Sequence, residues 1–93
     1  MRPDVQALQA RLASHFPDAT IEVVDDSHRH AGHAGAAGGA GHFNVRLVST
    51  RFAGLGTVAR HRLVYDAVQD WMPQRIHALA IEARTPAEAG DQA

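Results

Sequence analysis

Three of the seven histidines in this 93-residue chain, His28, His30 and His33, fall within the stretch "SHRHAGHAGA" from Ser27 to Ala36. Neutral imidazole is a metal ligand, so the cluster is a candidate zinc or nickel chelate, though a glycine- and alanine-rich backbone would hold an ion weakly. Cysteine is absent, which removes any disulfide, thiol nucleophile or thiolate ligand of the chain's own. Any metal bound here must be held by histidine, by carboxylate, or by sulfur from another molecule. The remaining histidines stand singly. His77 opens the segment "IHALAIEAR" and, taken on its own, reads as a half-buried histidine bonded to backbone. His42 precedes Phe43 and reads as structural. His61, in "RHRLVY", reads as a helix-surface residue ordering Tyr65 or a nearby turn, and His15 has no assigned role.

The elements that must position these side chains follow from apolar periodicity. Val5, Leu8, Leu12 and Phe16, spaced by three and four, predict a helix over 3–16 with Pro3 in its first turn. "FPDAT" ends it, because Pro17 disfavours helical geometry at Phe16. "TIEVVDD" alternates, with Ile21 and Val23 on one face and Glu22 and Val24 on the other, and "HFNVRLVS" repeats this with Phe43, Val45 and Leu47 inward. Both are predicted strands. Residues 27–41 lie between them, far longer than a hairpin loop of roughly 2 to 5 residues, and this composition predicts a flexible connection.

After the turn "STRFAGLGT", Thr57 is the expected cap of a second helix over 58–71 whose apolar members include Val58, Leu63, Val64, Ala67, Val68 and Trp71. Pro73 stops it. A third strand follows over 75–84, in which His77 shares parity with Leu79 and Ile81, placing its ring at the rim of the core. A short turn or helix leads to a frayed tail over 87–93. The whole, 1–93, is one domain, since no second core fits this length.

Four segments, "DDSHRHAGHAG", "HFNVRLVSTRFAGL", "RHRLVY" and "IHALAIEARTP", resemble in order and spacing the BolA family. The resemblance covers about residues 21–88. It implies an α+β, class II KH-like fold of α-β-β-α-α-β order, with a three-stranded mixed sheet and helices packed on one face. It also implies a partner, a monothiol glutaredoxin, with which such proteins share a [2Fe-2S] cluster, and a described role in stress- and morphology-linked transcription. The family's C-terminal histidine falls on His77. The loop position that is histidine in one subgroup and cysteine in another falls on His30, with His33 an alternative through the glycine-rich stretch.

A [2Fe-2S] cluster takes four ligands, and two imidazoles on one iron occur in Rieske-type centres. The glutaredoxin cysteine and bound glutathione would then supply sulfur while His77 and His30 or His33 supply nitrogen. The alternative function is DNA binding. Arg46, Arg51, Arg60 and Arg62 lie between Asn44 and Tyr65 with no carboxylate among them, although the net charge is −1 and "AGLGT" lacks the two-residue spacing of the GXXG clamp. No nucleophile with a placed base and no phosphate-binding glycine fingerprint is present, so the chain is expected to be non-enzymatic. No run approaches the roughly 20 apolar residues of a membrane span and no signal segment opens the chain, so a cytoplasmic location is expected.

Overall fold

A side-chain cap starts the first helix. In the computed structural model, which describes residues 1–27 and 40–90, the Asp4 carboxylate accepts the Ala7 N–H at 2.7 Å and α1 runs Val5–His15. The helix therefore begins after Pro3 rather than at it. Its buried stripe is Leu8 and Leu12, continued by Phe16.

The turn after α1 is held from a distance. Asp18 accepts the Ser49 hydroxyl at 2.8 Å, the Thr50 N–H at 2.8 Å and the Thr50 hydroxyl at 2.9 Å. These donations, Ser49's foremost, hold its carboxyl below the ordinary aspartate value.

Strand β1, Thr20–Asp25, pairs antiparallel with β2, Gly41–Val48, and β2 pairs parallel with β3, Ile76–Arg84, in the order β1-β2-β3. The predicted alternation holds: Ile21 and Val23 are the shielded residues of β1, and Phe43, Val45 and Leu47 are buried on β2. A parallel pair needs a crossover, and residues 49–75 provide it. They form a 3-10 turn at Thr50–Phe52, helix α2 at Thr57–Ala67 and a second 3-10 turn at Gln69–Trp71. Phe52, Val64, Ala67 and Val68 complete the core with α1 and one sheet face. The arrangement is the expected small α+β domain with a mixed sheet, and its order fits the KH-like one.

The second helix departs from expectation at both ends. Gly56, not Thr57, occupies the N-cap, with no side-chain cap bond, and Val58 is exposed rather than buried. The helix stops at Ala67 because Val68 leaves helical geometry at φ −125°, burying its own side chain as the backbone tightens. Arg11 fastens α1 there: it donates to the Asp70 carboxylate and the Ala67 carbonyl and lies 4.0 Å over the Trp71 ring.

The last element, α3 at Pro86–Ala89, is too short to persist alone. Thr85 and Glu88 form a reciprocal capping box, and Gly90 closes the helix at φ 74°, a left-handed value that suits glycine. Arg60 of α2 makes a two-pronged bond to the same Glu88 carboxylate. That guanidinium, with the Thr85 N–H behind it, holds the Glu88 carboxyl at about 2 against an ordinary 4.5. Because the folded value lies below the unfolded one, the stabilisation is complete above about 4.5 and is lost as pH falls through about 2. Glu88→Gln keeps a capping side chain but removes the charge. The melting-temperature gap between wild type and Glu88→Gln, followed by circular dichroism, should be widest at neutral pH and close on acidification. A gap that ignores pH would mean the charge contributes nothing.

Candidate functional site

His77 is placed by an irregularity in β3. The Gly41 N–H donates to the Arg75 carbonyl and the Ser49 N–H to the Arg84 carbonyl, each at 2.9 Å, so β3 carries one more residue than β2 over the same span. The register jumps from Gly41↔Ile76 to His42↔Ala78, which leaves His77 as the extra residue of a bulge. Ile76 and Leu79 are consequently both buried, and His77 is exposed. Shared parity with Leu79 does not bring the His77 ring to the core rim, because the bulge breaks the alternation on which that expectation rested.

His42 is the neighbour that sequence reasoning missed. Its ring centroid lies 5.1 Å from that of His77, with the planes at 46°. The residue is 8% exposed and its backbone is fixed on both sides: its N–H donates to Ser27 Oγ at 3.0 Å and its carbonyl accepts the Asp26 N–H at 2.7 Å. The structural reading of His42 therefore holds for its backbone, while its ring joins the His77 site. Pairing the two strand patterns in parallel would have found it, since both histidines stand at the same sheet end.

Ser27 is itself held. Its N–H donates to Asp25 Oδ1 at 2.9 Å, and Arg2 Nε donates to Asp25 Oδ2 at 2.9 Å. Burial opposes ionisation of Asp25, but the bonds from Ser27 and Arg2 outweigh it and hold its carboxyl below the ordinary value. Ser27 and Ala40, which bracket residues 28–39, are both buried, Ser27 against the His42 backbone. His28, His30 and His33 lie outside the described residues. Among the described residues, no group of three or more histidine, cysteine, aspartate or glutamate side chains is placed to hold a metal ion.

Three of the four candidate DNA-contacting arginines make bonds within the fold. Arg46 donates to Glu82 at 3.0 Å and lies 3.6 Å from Glu22. Arg51 donates to the His15 carbonyl and covers the Phe16 ring at 5.0 Å. Arg60 meets Glu88 and the Leu55 and Ala83 carbonyls. Arg62 is exposed on α2. The carboxylates missing locally in sequence arrive from β1, β3 and α3. His61 lines a cleft between α2 and β3 together with Thr57, Arg60 and Ile81, while Tyr65 finds its partner elsewhere, donating to the Leu79 carbonyl at 3.2 Å.

Comparison with known proteins places this geometry in a family. Residues 12–88 match the BolA-like protein family. SufE-like protein 1, chloroplastic/mitochondrial, of Arabidopsis thaliana is 45% identical over 86 residues, 87% of this chain and 23% of that protein, so the chain spans under a quarter of that relative. The DNA-binding transcriptional regulator BolA of Vibrio cholerae is 40% identical over 81 residues, 87% of this chain and 74% of that one. The solved BolA domain of SufE1 from Arabidopsis thaliana superimposes with a TM-score of 0.77 at 42% identity, covering 89% of this chain and 92% of the other.

Gly41 sets how tightly β2 enters the site. A Cβ there would overlap the Phe43 ring edge at Cε2 and stand 2.8 Å from Arg2 Cβ. Gly41→Ala should therefore cost about 1 to 3 kcal/mol in denaturant unfolding and speed exchange of the His42 amide. An unchanged midpoint would show that Phe43 and Arg2 yield freely.

Proposed function

The chain belongs to the BolA-like family, and from that premise we propose that it is a non-enzymatic adaptor that pairs with a monothiol glutaredoxin and contributes imidazole to a shared [2Fe-2S] cluster. The observation that supports this reading is the His77 bulge. It exposes a ring on a residue whose neighbours Ile76 and Ala78 both pair with β2, next to His42, whose N–H donates to Ser27, the described residue that precedes the segment carrying His30 and His33. The donor set fits a share of a cluster and not the whole: imidazole is available at His77, and thiolate is available nowhere in the chain. The cluster is cargo carried between proteins, and its iron and sulfide are what the complex would deliver or sense.

Each residue of the chain has a separable task in this reading. His77 presents nitrogen at a rigid position. His42 packs behind it and limits the directions the exposed ring can take. Ser27 and Asp25 fix the last described residue before the segment that carries His30 and His33, one of which would supply the second imidazole, and glutathione and the glutaredoxin cysteine complete the ligand set. No helix among the described residues is long and apolar enough to cross a membrane.

A regulator that binds DNA is the second reading, favoured by the Vibrio cholerae relative's name. The internal bonds of Arg46, Arg51 and Arg60 leave little of the arginine-rich stretch for phosphate, so Arg62 is its strongest contact. Loss of duplex binding in Arg62→Ala, with a shallower salt dependence, would support it.

The adaptor reading is tested by titrating the protein into cluster-loaded monothiol glutaredoxin with glutathione, followed by visible absorption and circular dichroism. The wild type should change the spectrum with saturation at one to one. His77→Ala should lose that change while keeping its far-ultraviolet spectrum. A wild-type titration without spectral change would remove the chain from the iron coordination sphere.

A further inference from the structure

We propose that residues 1–3 form a strap across one end of the sheet, and that Arg2 is a positioning residue that sets where the His42 and His77 rings stand relative to one another. The segment belongs to neither helix nor sheet, yet it touches all three strand ends at the site. At the end of β1, Arg2 Nε donates to Asp25 Oδ2 at 2.9 Å. At the start of β2, Arg2 passes so close that a Cβ on Gly41 would stand 2.8 Å from its own Cβ, and glycine is what admits it. Just before β3, Arg75 Nε donates to the Met1 carbonyl at 3.1 Å. Pro3 is buried and the next residue, Asp4, is the N-cap of α1, so the strap is pinned at its far end to the start of a helix.

Two short paths lead from the strap to the two rings. On one side the Arg2 cation holds the Asp25 carboxylate, whose Oδ1 accepts the Ser27 N–H at 2.9 Å, and Ser27 Oγ accepts the His42 N–H at 3.0 Å. On the other side Arg75 is braced from behind. Its N–H donates to the Trp71 carbonyl at 2.8 Å, its guanidinium lies 5.1 Å from the Trp71 ring, and its carbonyl accepts the Gly41 N–H at 2.9 Å. His77 follows two residues later. The paths close on each other where the imidazole centroids stand 5.1 Å apart. The Arg2 and Asp25 side chains are 48% and 27% exposed, and a pair so open to water contributes little to global stability. Its effect is therefore local: what it holds is Ser27 and the His42 backbone, not the core. Groups behind a metal ligand orient it, so the consequence for cluster sharing, which rests on the adaptor reading, is a weaker hold on the cluster when the strap is cut.

A double-mutant cycle on the intact chain tests this. Arg2→Met keeps a stem against Gly41 and removes the cation, and Asp25→Asn removes the charge from the other side. In the chain alone, followed by nuclear magnetic resonance, each substitution should speed exchange of the Ser27 and His42 amides about two- to fivefold, and leave the Leu12 and Val64 amides as they were. The His77 ring signals should shift in both. The double variant should exchange no faster than the faster single one, because both substitutions break the same bond. In the titration of cluster-loaded glutaredoxin, the half-point should rise by about the same factor in each single variant. Additive effects, faster exchange spread equally over the core, or unchanged His77 ring signals would overturn the proposal. A wild-type titration without spectral change would strike the adaptor reading instead, and the strap would stand or fall on exchange and ring signals in the chain alone.

Discussion

Parallel pairing of β2 with β3 is the constraint on which the rest of this domain depends. Parallel neighbours cannot be joined by a tight turn, so residues 49–75 must leave the sheet, cross its face and return. In crossing they supply α2 and the Phe52, Val64 and Val68 side chains against which α1 packs. Without the crossover, the sheet would keep its ladders and lose much of its core. The same pairing decides where a histidine can be displayed, because one extra residue in β3 is absorbed as a bulge at its first turn of register. His77 is held outward by the burial of Ile76 and Leu79 on either side.

Periodicity made most of the layers legible in sequence. Ile21, Val23, Phe43, Val45 and Leu47 alternate cleanly and are found on one sheet face, and Leu8, Leu12 and Phe16 form the stripe of α1. The bulge was not legible, because it is a property of two strands compared with each other, and "IHALAIEAR" alone gives no sign of an inserted residue. The Asp4 cap was available from its residue type. The end of α2 at Ala67 was not, since Val68 gains more by entering the core than by extending the helix.

The arginines show a similar limit. A segment without local carboxylates looks like a basic patch, yet Arg46 and Arg60 meet Glu22, Glu82 and Glu88 from strands and a helix distant in sequence. Charge neutralisation in a small domain is set by topology as much as by composition. Recognition surfaces inferred from linear charge density are therefore reliable only where the fold leaves the cations facing solvent, as it does for Arg62.

The Asp18 carboxylate joins two turns that are 32 residues apart, one after α1 and the other where β2 enters the crossover. An N-terminal helix packed by one apolar stripe could fray as a separate unit. Here its exit is tied through Ser49 and Thr50 to the central strand, while Arg11 ties its middle to the end of α2. Opening of α1 thus requires release at both ends of the crossover at once. The carboxylates of Asp18 and Asp70 thus couple the exit and the middle of α1 to the two halves of the crossover, so that fraying of the first helix and loosening of the crossover are linked events.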